Sequence, residues 1–154
     1  MTITDTTKVY DLISPELKAD IITMVREDSW PEMTDAQAER GVNQMAAFLA
    51  VAASTREKAT PSLRVDLFWH AFVLHTRPYA DFCDALGGRF IHHVPDRNTA
   101  RNPAEGRNAM RRTAEMLREA GFNPDPEFWP THHAANCCGD CTQSYAGCSD
   151  SPVK

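Results

Sequence analysis

The segment 34–54 limits most tightly what this chain can fold into. Thr34 and Gln37 have the spacing of a capping box, and Val42, Met45, Phe48, Leu49 and Ala52 then recur as one apolar stripe up to about Ser54. This is the longest helix the pattern predicts, and its stripe has to be covered by other elements. The rest of the chain supplies helices to cover it and almost no alternating, strand-like runs. Ser14 followed by Pro15 is an N-cap with proline at the first helical position, and Leu17, Ile21, Ile22 and Val25 continue it, predicting a helix over 15–27. Thr60 with Pro61 or Ser62 opens a third helix through Leu63, Leu67, Phe68, Val73 and Leu74. Pro78 removes a backbone donor and clashes with the preceding turn, so a break is expected at 75–77 and a fourth helix over 77–86, closed by Gly87 and Gly88. Asn102, Pro103 and Glu105 open a fifth, with Met110, Ala114, Leu117 and Ala120 on one face and Gly121 as its stop.

The expected fold is therefore all-α, a single domain of about five helices in a small bundle over 1–122, followed by an irregular Pro- and Cys-rich tail over 123–154. Two readings of that tail stand side by side: Phe128 and Trp129 lay it over the helices, or its cysteines organise it. At 154 residues the chain can bury a core without disulfide staples. Its net charge of -5 and lack of a basic run argue against a nucleic-acid or anionic membrane partner. No uncharged apolar run approaches the roughly 18 residues of a membrane span, and 1–17 lack a basic leader and an apolar stretch, so a cytoplasmic location is expected. In a reducing compartment, clustered cysteines serve more often as metal ligands or redox thiols than as disulfides.

The segment 66–95, DLFWHAFVLHTRPYADFCDALGGRFIHHVP, holds four of the six histidines and one of the five cysteines among apolar residues. Asp66 and His70 lie one helical turn apart, so the carboxylate can accept from one imidazole nitrogen and leave the other as a metal ligand. His75 lies about 140° further round an unbroken helix, and only the break before Pro78 would turn it toward His70. Tyr79 and Cys83 share the next helix's face with Phe82 and Leu86. After the glycines, His92 and His93 point to opposite sides of an extended backbone. Phe90 and Val94 form the stronger apolar pair, which predicts that their face packs inward with His92 and leaves His93 exposed. Each of these histidines taken alone is more simply a hydrogen-bonded residue, and Cys83 a small buried apolar one. Their convergence in one hairpin-like unit makes His70, His75, Cys83, His92 and His93 candidate ligands for Zn or Fe, with Tyr79 and Asp66 as candidate acid-base or ligand-orienting groups.

The run from Val65 to Pro95 resembles the bacterial relatives of the glycine-rich-domain-containing proteins. Asp66, Trp69, His70, His75, Tyr79, Cys83, Gly88, His92 and His93 fall on that family's motif positions, while Phe72 stands where the plant pattern has another histidine. The resemblance covers about a fifth of the chain, and the long glycine-rich region is absent. It implies a helical domain with special residues in this stretch, and no particular reaction.

A second constellation is HHAANCCGDCTQSYAGC. Cys138 and Cys141 form a C-x-x-C, the spacing that lets two thiolates hold one metal; His132 or His133, Cys137 and Cys148 are candidates for the remaining corners. A tail of reactive thiols, or a dithiol that cycles through a disulfide, is the alternative. The chain has no G-x-S-x-G, P-loop, G-x-G-x-x-G or H-E-x-x-H, so the common hydrolase, phosphate, dinucleotide and metalloprotease templates lack support. A cysteine protease built on Cys83 is disfavoured because an apolar helical face raises a thiol's pKa. Three functions fit these residues. The first is a noncatalytic transition-metal-binding protein, and the second a small Fe- or Zn-dependent enzyme with an open coordination position for a small molecule or peptide. The third is an interaction or carrier protein whose Cys-rich tail is modified or docked by a protein or peptide partner.

Overall fold

Five helices start at a short polar side chain that accepts a hydrogen bond from their own first turn. In the computed structural model, which describes residues 5–94 and 102–130, Asp5 caps α1 (Thr6–Asp11), Ser14 caps α2 (Pro15–Asp28) and Thr34 caps α3 (Asp35–Ser54). Gln37 returns the bond to the Thr34 backbone, completing the expected capping box. Ser62 caps α4 (Leu63–Leu74) and Asn102 caps α6 (Pro103–Glu119). The exception is α5 (Thr76–Ala85), which follows His75 with no side-chain cap. Among the described residues the fold is all-helical, with no strand and no helix long and apolar enough to cross a membrane. The sequence pattern misses α1, whose single buried residue, Val9, leaves no period to read.

The central element is α3, which packs against α1, α2, α4 and α6. Its apolar stripe is wider than the pattern suggests, because every residue from Gln44 to Ala52 is buried. Five of those nine are alanine or valine, small enough for helices to approach from several sides. The closest approach is at Gly41. A Cβ there would lie 2.2 Å from the Cζ of Phe68 on α4, so glycine alone lets that fully buried ring rest on the α3 backbone.

Residues 123–129, at the head of the Pro- and Cys-rich tail, are laid over the helices by Phe128 and Trp129, both buried. Buried Gln44 holds them: its Oε1 accepts from the Trp129 indole N–H (2.9 Å) and the Asp125 amide (3.3 Å), and its Nε2 donates to the Asn123 carbonyl (3.1 Å). Outside this contact, Arg40 pairs with Asp125 (2.7 Å) and Glu127 (3.1 Å), and Arg64 reaches Glu127 at 3.1 Å. The tail candidates His132, His133, Cys137, Cys138, Cys141 and Cys148 lie outside the described residues.

Two substitutions test this packing. Gly41→Ala adds about 1 kcal/mol of helix propensity, yet overpacking against Phe68 should cost about 1–3 kcal/mol; chemical denaturation should therefore show no gain, and a clear stabilisation would contradict the close approach. Gln44→Leu leaves the Trp129 indole and two backbone groups without their partner and should cost about 1–3 kcal/mol. An unchanged denaturation midpoint would show that the 123–129 segment is not held through Gln44.

Candidate functional site

Val65, Phe68, Trp69, Ala71 and Phe72 turn one side of α4 into the core, which leaves Asp66 and His70, one turn apart, toward the surface. The helix ends at His75 (φ -87°, ψ 68°) and α5 restarts at once, so the expected break lies where Pro78 falls within the new first turn and its missing N–H costs nothing. After α5, Gly87 (φ +138°) and Gly88 (φ +83°) take backbone conformations that other residues rarely adopt, and they send the chain back. The returning segment 89–94 is neither helix nor strand.

That segment is fixed at three points. Arg89 Nη2 donates to the Ala52 and Thr55 carbonyls (2.9 and 3.2 Å), which α3 leaves unpaired at its C-terminal end. Buried Tyr79 accepts from the Trp69 indole N–H (2.9 Å) and donates its own hydroxyl proton to the Ile91 carbonyl. The His93 Nε2–H donates to Asp66 Oδ1 at 2.8 Å. Ile91 and His93 therefore face the helices, while Phe90, His92 and Val94 face outward, Val94 at 75% exposure. This reverses the phase expected from the apolarity of Phe90 and Val94. The reason is that one buried hydroxyl and one carboxylate fix the register more firmly than two apolar side chains that find no cover.

Asp66, His70 and His93 meet. One potential ligand atom from each lies within 4.8 Å of the others, the only such group among the described residues. The His93 ring packs against the Trp69 ring at a tilt of 43° with centroids 4.3 Å apart, and stands edge-on to His70 at 5.1 Å, with an interplanar angle of 89°. His70 is exposed, and the Asp66 and His93 side chains are 28% and 16% exposed, so the group sits in the surface with one side toward solvent. The hydrogen bond to Asp66 raises the His93 pKa above its ordinary value, against the opposing effect of burial.

The other candidates lie elsewhere. His75 donates from Nδ1 to the Ala71 carbonyl (2.9 Å), an end-of-helix contact, and is not part of the Asp66–His70–His93 group. Cys83 is a buried free thiol on the core face of α5. His92 is exposed beside Phe90, ring to ring at 4.8 Å. Burial, foremost, lifts the Tyr79 hydroxyl well above the ordinary phenol range, so it keeps its proton and acts as a clasp between Trp69 and Ile91. Two features escape the sequence reading. Asp66 takes His93 rather than its helical neighbour His70, and Trp69 forms the wall behind His93. The one-turn spacing of Asp66 and His70 signals their shared face, but nothing local signals which histidine returns to it.

A family model described as UCP032817-like matches residues 12–125, and the chain belongs to that family. No curated protein and no solved structure matches it. The matched span contains Asp66, His70 and His93 and stops before the cysteine cluster.

The Asp66–His93 bond can be read in metal-free protein. With its folded pKa raised, His93 contributes stability that is fully present below its unfolded value of about 6.5 and is lost as pH rises through the folded value. In chelator-treated protein, an NMR titration should place His93 above about 6.5, and Asp66→Asn should lower it. A His93 midpoint at or below that value would mean the bond does not persist in solution.

Proposed function

We propose that this member of the UCP032817-like family binds a divalent transition metal, Zn or Fe, through Asp66, His70 and His93. The observation that carries the reading is the approach of three potential ligand atoms of complementary chemistry to within 4.8 Å. Two imidazoles and one carboxylate suit both ions, and in this set the metal would take the place of the proton that His93 shares with Asp66. The Trp69 ring packed against His93 limits that imidazole's rotation, Tyr79 ties down the segment that carries it and the hydrogen bond joins it to Asp66, so these two of the three ligands are oriented before any ion arrives.

A second reading, a small Fe- or Zn-dependent enzyme, is favoured by the size of this set. Three protein ligands with a solvent-facing histidine are the number found in catalytic centres, where structural Zn sites are closed by four. A cytoplasmic setting, which would keep Cys83 and the tail thiols reduced, belongs to the same reading.

The test separates the helix site from the tail. In full-length protein purified without an affinity tag, with Cys137, Cys138, Cys141 and Cys148 changed to serine, elemental analysis and calorimetric titration with Zn or Fe(II) should find one ion per chain. His70→Ala and His93→Ala should each weaken binding by at least about tenfold, the lower end of the loss seen even for groups that only orient ligands. His75→Ala and Cys83→Ser should not. Full metal retention in both histidine variants, or no binding in the cysteine-free background, would overturn the assignment.

A further inference from the structure

Asp66, His70 and His93 supply three donors, and among the described residues no further His, Cys, Asp or Glu joins the group. His70 is exposed, so a tetrahedral ion held here would turn one corner toward solvent, to be filled by water or by a donor brought from elsewhere. The last described residues lie close by. Trp129 is buried, and three ring-to-ring steps lead from it to the group: 6.3 Å to Phe48, 5.1 Å to Trp69 and 4.3 Å to His93. Cys137 follows Trp129 by eight positions, and an extended chain advances about 3.3–3.6 Å per residue. Even laid in a straight line, the three steps are shorter than the reach of that chain.

Charge and ordering select the donor. One carboxylate and one thiolate neutralise a divalent ion, whereas an imidazole from His132 or His133 in the thiolate's place would leave it positive. Four tail thiolates alone would leave two negative charges in excess, on a chain already at -5. A site made of the tail alone would also have to order four of its residues around the ion. The helical group already holds Asp66 and His93 in place and needs one more side chain, which its tether to the same chain supplies at high effective concentration. We infer that one tail cysteine, from among Cys137, Cys138, Cys141 and Cys148, is the fourth ligand to a metal held by Asp66, His70 and His93, so that the two constellations form a single closed site. The inference rests on the metal reading above and decides within it. Four protein ligands are the number of a structural site, and the position a substrate would need is filled by the chain itself.

Cobalt(II), a coloured substitute for Zn, is the probe, titrated into full-length, tag-free protein whose thiols are kept reduced. The first equivalent should produce a thiolate-to-cobalt charge-transfer band in the near ultraviolet and the intense visible bands of tetrahedral cobalt, saturating at one ion per chain. His70→Ala, at an exposed position, and His93→Ala should each remove most of the thiolate band at that equivalent. Changing all four tail cysteines to serine should abolish the band and weaken cobalt binding by at least about tenfold, with the ion still held by the other three ligands. Cobalt bound at one equivalent without the thiolate band would overturn the inference and leave the three-ligand reading standing. A band undiminished in both histidine variants would overturn it by giving the thiolates a site of their own. Loss of all cobalt binding in the serine variant would overturn both.

Discussion

The contact on which the rest depends is the Phe68 ring lying on the α3 backbone at Gly41. Phe68 is fully buried, and its ring also meets Phe128 edge-on at 6.2 Å. One aromatic side chain thus joins the central helix, the helix that carries the candidate ligands, and the segment that closes the bundle. Arg40, next to Gly41, lies over the Phe128 ring at 5.7 Å and pairs with Asp125 and Glu127, while Arg64 on α4 reaches the same Glu127 and stacks on Trp30 at 4.3 Å. These ion pairs are partly exposed and individually worth little. Their importance is positional, because they join the same elements as the aromatic contact and favour the same packing.

With α4 set in this way, its two sides have separate duties. Phe68, Trp69 and Phe72 anchor it in the core, and Asp66 and His70 are left on the other side at a fixed height. The returning segment has no ladder hydrogen bonds to hold it, so its placement rests on side chains. The Tyr79 hydroxyl is bonded on both sides, as acceptor from Trp69 and donor to Ile91, and buried away from competing water. A residue that resembled a catalytic candidate thereby becomes the device that presents His93 to Asp66.

Much of this was legible in the sequence, and the limits have physical causes. Helix positions followed from caps and apolar spacing because both are local: Ser14, Thr34 and Asn102 each cap the helix predicted from them, and Pro78 marks the interruption at His75. The short α1 was not legible, since one buried residue cannot define a period. Asp66 and His70 were recognisable as sharing a face because their spacing is set by the helix itself. Apolarity gives the opposite facing for His92 and His93, because it predicts burial only where there is core to fill, and here a hydroxyl and a carboxylate from other elements decide the register. Phe90 and Val94, the more apolar pair, remain exposed as the consequence.

That exposure follows from the register of the returning segment. The register that turns His93 toward Asp66 and buries Ile91 leaves Phe90, His92 and Val94 on the outer side. Trp69 braces this arrangement, its ring packed at a tilt against His93 and its indole N–H committed to Tyr79. An ion held by His93 would oppose slippage of the segment, because His93 would then be tied to α4 through the ion as well as through its packing on Trp69. A one-residue slip would exchange the faces of Ile91, His92 and His93 together, removing the Tyr79 bond and the Asp66 bond in a single step. The register of these few residues is therefore the condition on which the approach of His93 to Asp66 and His70 rests.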